Sequence, residues 1–78
     1  MKKELLKNID KIHTTKLGME RIKKNLNIDE DVISYCKNII LSNEVNIYKK
    51  GKNYYCELNN IKITINSYSY TIITAHKI

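Results

Sequence analysis

Three residues in the second half of the chain carry the side chains needed for acid–base chemistry on a phosphodiester: Glu57, Lys62 and His76. Metal-independent RNA cleavage needs a base to take the 2′-hydroxyl proton and an acid to protonate the leaving 5′-oxygen. It also needs a cation for the charge that develops on the phosphate. Glu57 fits the base, His76 the acid, and Lys62 or Arg21 the phosphate stabiliser. Tyr55 and Tyr68 are suited to stacking on a base, and Tyr48, which alternates outward in its strand, joins them as a candidate for ligand contact. His13 with Arg21 and Lys24 would make a phosphate-binding entrance to a helix. A plainer reading stands beside each of these and takes precedence on the residues alone. Glu57 and Lys62 form an ordinary cross-strand pair, His76 is a solvated residue near the terminus, and His13 bonds locally.

The whole chain limits what such residues can do. Its 78 residues allow one domain, 1–78, with one modest core. Thirteen lysines and one arginine against eight acidic residues leave a net charge of +6, which favours a polyanion such as RNA as partner. The charge is spread: residues 1–42 hold nine basic and six acidic groups, residues 43–78 five and two. Neither half is a basic tail. No apolar run approaches the roughly eighteen residues of a membrane span, and Met1–Leu6 lacks the hydrophobic stretch of a secretory signal. No membrane association is expected. Gly18 and Gly51 are the only glycines, so no glycine-rich nucleotide loop exists. Cys36 and Cys56 are too few and too far apart for a zinc site. They read as reduced core thiols of a cytoplasmic protein, and neither a metal nor a cofactor is expected.

The apolar spacing divides the chain near Ser42-Asn43 into a helical part, 1–42, and a sheet part, 43–78. A first helix is expected over Lys3–Ile12, with Leu5, Ile9 and Ile12 on its buried stripe. Thr14 or Thr15 would cap a second helix, Lys16–Asn25, that buries Met19, Ile22 and Leu26. Asn25 and Asn27 suit the chain reversal that follows. Asp29 would cap a third helix reaching Leu41, with Glu30 and Asp31 in its first turn and Ile28 and Ile33 at hydrophobic-staple spacing. Four strands follow: Glu44–Tyr48, Tyr54–Leu58, Ile61–Ile65 and Tyr70–His76. A glycine-containing turn at 49–53, Asn59-Asn60, and Ser67-Tyr68-Ser69 connect them. The fold class is α+β, three N-terminal helices packed on one face of a four-stranded antiparallel meander sheet.

Register then decides which residues share the open face. With Asn59-Asn60 as a two-residue turn, Leu58 faces Ile61, Glu57 faces Lys62, Cys56 faces Ile63 and Tyr55 faces Thr64. For the last hairpin, Asn66 opposite Tyr70 puts Lys62 opposite Thr74 and Thr64 opposite Ile72. The open face then carries Tyr55, Glu57, Lys62, Thr64, Thr74 and His76.

Two stretches, Ile12–Leu26 and Tyr68–Lys77, resemble a family of short bacterial proteins classed only as a domain of unknown function. That resemblance spans nearly the whole chain and implies no activity. More distantly, helices followed by a four-stranded meander ending in Thr71-Ile72-Ile73-Thr74-Ala75-His76 are similar to the barnase/EndoU/colicin/RelE-like ribonuclease superfamily. That resemblance implies a toxin-like endoribonuclease in which Thr74 and His76 are the matching positions, joined by basic residues of the second helix. Such nucleases usually carry several basic groups near the sheet, and the single arginine here departs from that pattern. The expectation from the sequence is therefore a metal-independent ribonuclease-like or RNA-binding protein. Its catalytic candidates are Glu57, Lys62 and His76, and its nucleic-acid contacts are Arg21, Lys24, Tyr55, Tyr68 and Thr74. The alternative is a non-enzymatic module, regulatory or phage-associated, that binds a protein or nucleic acid through the same face. A homodimer through an exposed edge strand also stays open.

Overall fold

A computed structural model describes residues 2–78, leaving Met1 of the N-terminal segment outside the described residues. The order is α1 (Lys2–Lys7), a short 3-10 turn (Ile9–Lys11), α2 (Lys16–Leu26), α3 (Val32–Ile40), β1 (Asn46–Lys50), β2 (Asn53–Leu58), β3 (Ile61–Asn66) and β4 (Ile72–Lys77). The strands form one antiparallel sheet in sequence order. The fold is α+β, with three helices ahead of a four-stranded antiparallel sheet. No helix is long and apolar enough to cross a membrane, among the described residues.

The helices differ from expectation at their ends. The first is shorter than Lys3–Ile12 because Asn8 stops it. The Asn8 amide side chain donates to the Glu4 carbonyl at 2.8 Å, and Asn8 takes a non-helical backbone before the 3-10 turn. The apolar stripe survives the break, with Leu5 and Ile12 buried. Thr15 caps α2, its hydroxyl accepting from the Gly18 N–H at 3.0 Å. Asn27, at φ 55°, closes α2 in the left-handed region. Asn25 stays helical. Asp31, not Asp29, caps α3: its carboxylate accepts from the Ser34 N–H and hydroxyl at 3.0 and 2.9 Å. Those bonds, the backbone one first, hold the Asp31 carboxyl below its ordinary value. A cap needs a backbone N–H two or three residues on, which each acidic residue has, and Asp31 gains the Ser34 hydroxyl in addition. The cap shift takes Ile28 and Ile33 out of staple spacing, though both pack against the core.

The core gathers Leu5, Ile12, Ile22, Leu26, Val32, Cys36, Ile39 and Ile40 from the helical half. Val45 and, on the strands, Tyr54, Cys56, Ile63, Ile65, Ile72 and Ala75 join them in one cluster. The strand members alternate with residues left outside it, the period-two pattern of a sheet with one dry side. Both thiols are free and buried, and burial is the first cause that pushes each up to about 12.

β1 runs two residues later than Glu44–Tyr48, because its turn is only Gly51-Lys52, with Lys50 opposite Asn53. Gly51 has φ 62°, the positive value a two-residue hairpin asks of its first turn residue. Asn59 and Asn60, at φ 49° and 65°, make the next hairpin as expected, and the β2–β3 register is the expected one throughout. The last hairpin is shifted. Lys62 faces His76, not Thr74, and Thr64 faces Thr74, not Ile72. A bulge between Thr64 and Ile65 then sets Ile65 opposite Ile72. Tyr70 is not in the strand; it sits at φ 58°, donates its N–H to the Asn66 carbonyl and accepts the His13 N–H at 3.2 Å.

That contact belongs to a seam between the N-terminal segment and β4. His13 forms a parallel bridge with Thr71, and its carbonyl accepts the Ile72 N–H at 2.7 Å. The Thr14 hydroxyl donates to the Ile72 carbonyl at 3.0 Å, and the Asn25 side chain donates to the Ala75 carbonyl at 3.2 Å. These bonds occupy the outer edge of β4. Gly18 is needed here, since a Cβ at that position would come within 2.3 Å of the Thr14 Oγ1.

Candidate nucleic-acid interface on the open sheet face

The side of the sheet turned away from the core is organised in cross-strand rows. One row reads Asn46, Glu57, Lys62, His76, and the next reads Tyr48, Tyr55, Thr64, Thr74. The revised last-hairpin register therefore keeps all six expected residues on this face. A two-residue shift preserves side-chain parity, whereas a one-residue slip would have inverted it.

In the second row the Tyr48 and Tyr55 rings stack, with centroids 5.3 Å apart and planes at 22°. Lys62 extends its Nζ over the Tyr55 ring, 5.0 Å from the centroid. Thr64, in the middle of the face, is only 8% exposed although it points away from the core. It lies between Tyr55 and Thr74 in the register. In the first row Glu57 accepts the Tyr48 hydroxyl at 2.5 Å. That bond is the first cause of the raised Tyr48 hydroxyl pKa, ahead of burial; Lys62 acts in the opposite direction. Lys62 therefore covers an aromatic ring, and the Glu57 carboxylate is engaged by a tyrosine from β1. Tyr48 is the residue whose role the sequence understated. Period-two alternation put it on the face, but only register places it beside Tyr55 and Glu57.

The remaining candidates lie elsewhere. Arg21 and Lys24 are exposed on α2. Arg21 is one turn before Asn25 on the same helical stripe, so it lies alongside the β4 edge that Asn25 contacts and not within the rows. Tyr68 is 76% exposed in the β3–β4 connection, where the Asn66 side chain accepts the Tyr68 and Ser69 N–H groups at 2.8 and 3.0 Å. His76 is exposed at the end of its row. Its nearest partner in register is Lys62.

The His13 ring makes the local bond that its plainer reading called for, and one that reaches further. Its Nδ1 is 2.8 Å from the Lys11 carbonyl, so that nitrogen carries the proton. Its Nε2 is 3.1 Å from the Thr71 hydroxyl, which is 2.8 Å from the Ser69 hydroxyl. Sequence spacing gave no sign of the Thr71 partner, which lies 58 positions away.

The chain can now be set against known proteins. A family model described as "Protein of unknown function (DUF3781)" matches residues 6–76. No curated protein and no solved structure matches the chain. These comparisons lend no support to the likeness to the ribonuclease superfamily.

Proposed function

The chain belongs to the DUF3781 family, and from that starting point we propose that it binds single-stranded RNA on its open sheet face. The observation that carries this reading is the Tyr48–Tyr55 stack capped by Lys62. The half-buried Tyr48 and Tyr55 rings offer base stacking worth about 1–3 kcal/mol per base once Lys62 moves aside. An ammonium at their margin offers a phosphate contact, and the net charge of +6 draws a polyanion to them. The buried free thiols support action in a reducing compartment such as the cytoplasm.

A second reading, cleavage, is favoured by one observation: Glu57, Lys62 and His76 fall in a single cross-strand row. At about 4.8 Å per strand, the outer two stand about 10 Å apart along the row with the cation between them. In that reading Glu57 takes the 2′-hydroxyl proton while the 2′-oxygen attacks phosphorus, and protonated His76 gives its proton to the departing 5′-oxygen. Lys62 balances the charge on the phosphate. Before acting as a base, Glu57 would have to release the Tyr48 hydroxyl.

Labelled single-stranded RNA in EDTA tests both readings. Binding that weakens with salt and is lost in Tyr55→Ala supports the platform. Cleavage that disappears in both Glu57→Ala and His76→Ala supports the row. Neither binding nor cleavage overturns both, and leaves the same face for a protein partner.

A further inference from the structure

We infer that two copies of the chain pair antiparallel through β1, continuing one sheet across a twofold axis at Tyr48. The inference does not depend on RNA binding. It begins with the difference between the sheet's two edges. The β4 edge is closed by backbone and side-chain bonds from His13, Thr14 and Asn25. The β1 edge is not. Lys50 and Asn53 flank a two-residue turn and form a hydrogen-bonded pair, so Tyr48 and Asn46 also bond inward to β2. The N–H and C=O groups of Ile47 and Lys49 point outward, and no backbone bond among the described residues reaches them. An unprotected edge of this kind is a template for another strand.

Charge selects the occupant. Charge is uneven along the β1 segment: Glu44 precedes it, Lys49 and Lys50 stand at its far end, and Lys52 follows in the turn. A parallel copy would set lysine against lysine. An antiparallel copy brings the Glu44 end of each strand to the lysine end of the other, so the segment is complementary to itself. Register follows from overlap. Pairing all five residues, Asn46–Lys50, puts Ile47 opposite Lys49 of the second copy and forms four backbone bonds. Tyr48 then faces its own counterpart in a non-hydrogen-bonded position, where side chains approach most closely. A register centred on Lys49 would oppose two lysines. Centring on Asn46 would draw in residues that precede the strand. In the chosen register the Tyr48–Tyr55 stacks of the two copies become one row of four rings.

Sedimentation equilibrium of the full chain, from low to high micromolar concentration, reads the association directly. Lys49→Pro removes an outward N–H that the monomer does not use. It is expected to raise the dissociation constant by tenfold or more while leaving the circular dichroism spectrum unchanged. Tyr48→Cys is expected to give a disulfide-linked dimer under mild oxidation, because Cα atoms in this kind of pair lie within disulfide reach. Lys62→Cys, at the centre of the face, is expected to stay monomeric. Cys36 and Cys56 are buried and do not compete. A parent chain that is monomeric at every concentration overturns the inference. So does a Tyr48→Cys variant that cross-links no faster than Lys62→Cys. Should Lys49→Pro fail to fold, the cysteine pair decides alone.

Discussion

The two sides of this sheet are built by the same four strands and held in different ways. On the core side, Tyr54, Cys56, Ile63, Ile65, Ile72 and Ala75 are at most 1% exposed and share one buried cluster with Leu5 of α1, Ile22 and Leu26 of α2, and Val32, Cys36, Ile39 and Ile40 of α3. On the open side, the contacts run only between neighbours on the sheet: Tyr48 on Tyr55, Lys62 over Tyr55, Tyr48 to Glu57. Removing a core side chain leaves a gap that the rest of the molecule cannot close. Removing an open-side residue costs a pair contact and a surface. Stability and binding are thus assigned to opposite sides, and a substitution that spoils one is expected to spare the other.

The largest expected effect is alkaline. Cys36 and Cys56 are pushed up to about 12 by burial, and Tyr54 to about 12 by burial and by donating to Glu4 at 3.0 Å. Each folded value lies above the unfolded one, so the folded state holds these protons more tightly. Their contribution is fully present below pH 9 and is lost as pH rises toward 12. Urea midpoints should therefore fall steeply over that range, and a Cys36→Ala, Cys56→Ala double variant should show a flatter fall. A parallel fall would place the sensitivity on Tyr54 or outside the core side.

Next is Ile63→Ala, at the centre of the core side, expected to cost about 2–5 kcal/mol by urea denaturation. Lys62→Ala, the adjacent residue on the other side, should stay within about 0.5 kcal/mol of the parent. Equal losses would erase the distinction between the two sides. Tyr55→Ala sharpens it from the other direction. It should weaken single-stranded RNA binding by about 1–3 kcal/mol, read by fluorescence anisotropy, in a protein that still unfolds cooperatively.

The smallest effect tests the seam beside the core side. Gly18→Ala should gain up to about 1 kcal/mol of helix propensity. Yet its methyl would displace the Thr14 Oγ1, which bonds the Ile72 carbonyl, and a lost bond with an unsatisfied carbonyl costs about 1–3 kcal/mol. The net sign should be destabilising in the parent. It should become stabilising in a Thr14→Ala background, where only the Thr15 Oγ1, at 3.2 Å, must give by a few tenths of an ångström.

Much of this division was legible in the sequence. Strict alternation in Ile61–Asn66 assigns each residue a side, and two adjacent asparagines with positive φ fix the β2–β3 register without help from the rest of the chain. The β4 register was not legible. Tyr70 leaves the strand and Ile73 is the extra residue of the bulge, and the bonds around them come from His13 and Thr14, in the other half of the chain. The α3 cap differed for a local reason: three acidic residues in a row, Asp29-Glu30-Asp31, offer several starts with backbone N–H groups at the same spacing, and Asp31 alone adds the Ser34 hydroxyl bond. The site divided in the same way. Residues whose place depends on strand parity were found, while Arg21, Lys24 and Tyr68 depend on helix docking and loop path, and the fold holds them apart from the rows.

The parallel bridge between His13 and Thr71 also bears on how the chain comes together. It joins residues 58 positions apart, so its closure entropy is met only after the intervening helices and hairpins have shortened the effective loop. The β2–β3 hairpin needs only its own two-residue turn. The meander thus has an early centre and a late margin, and the last strand gains its outer partner only when the first residues of the chain return to it. The helical half and the sheet half share one buried cluster, and His13 and Thr14 of the first are bonded to the start of the last strand in the second.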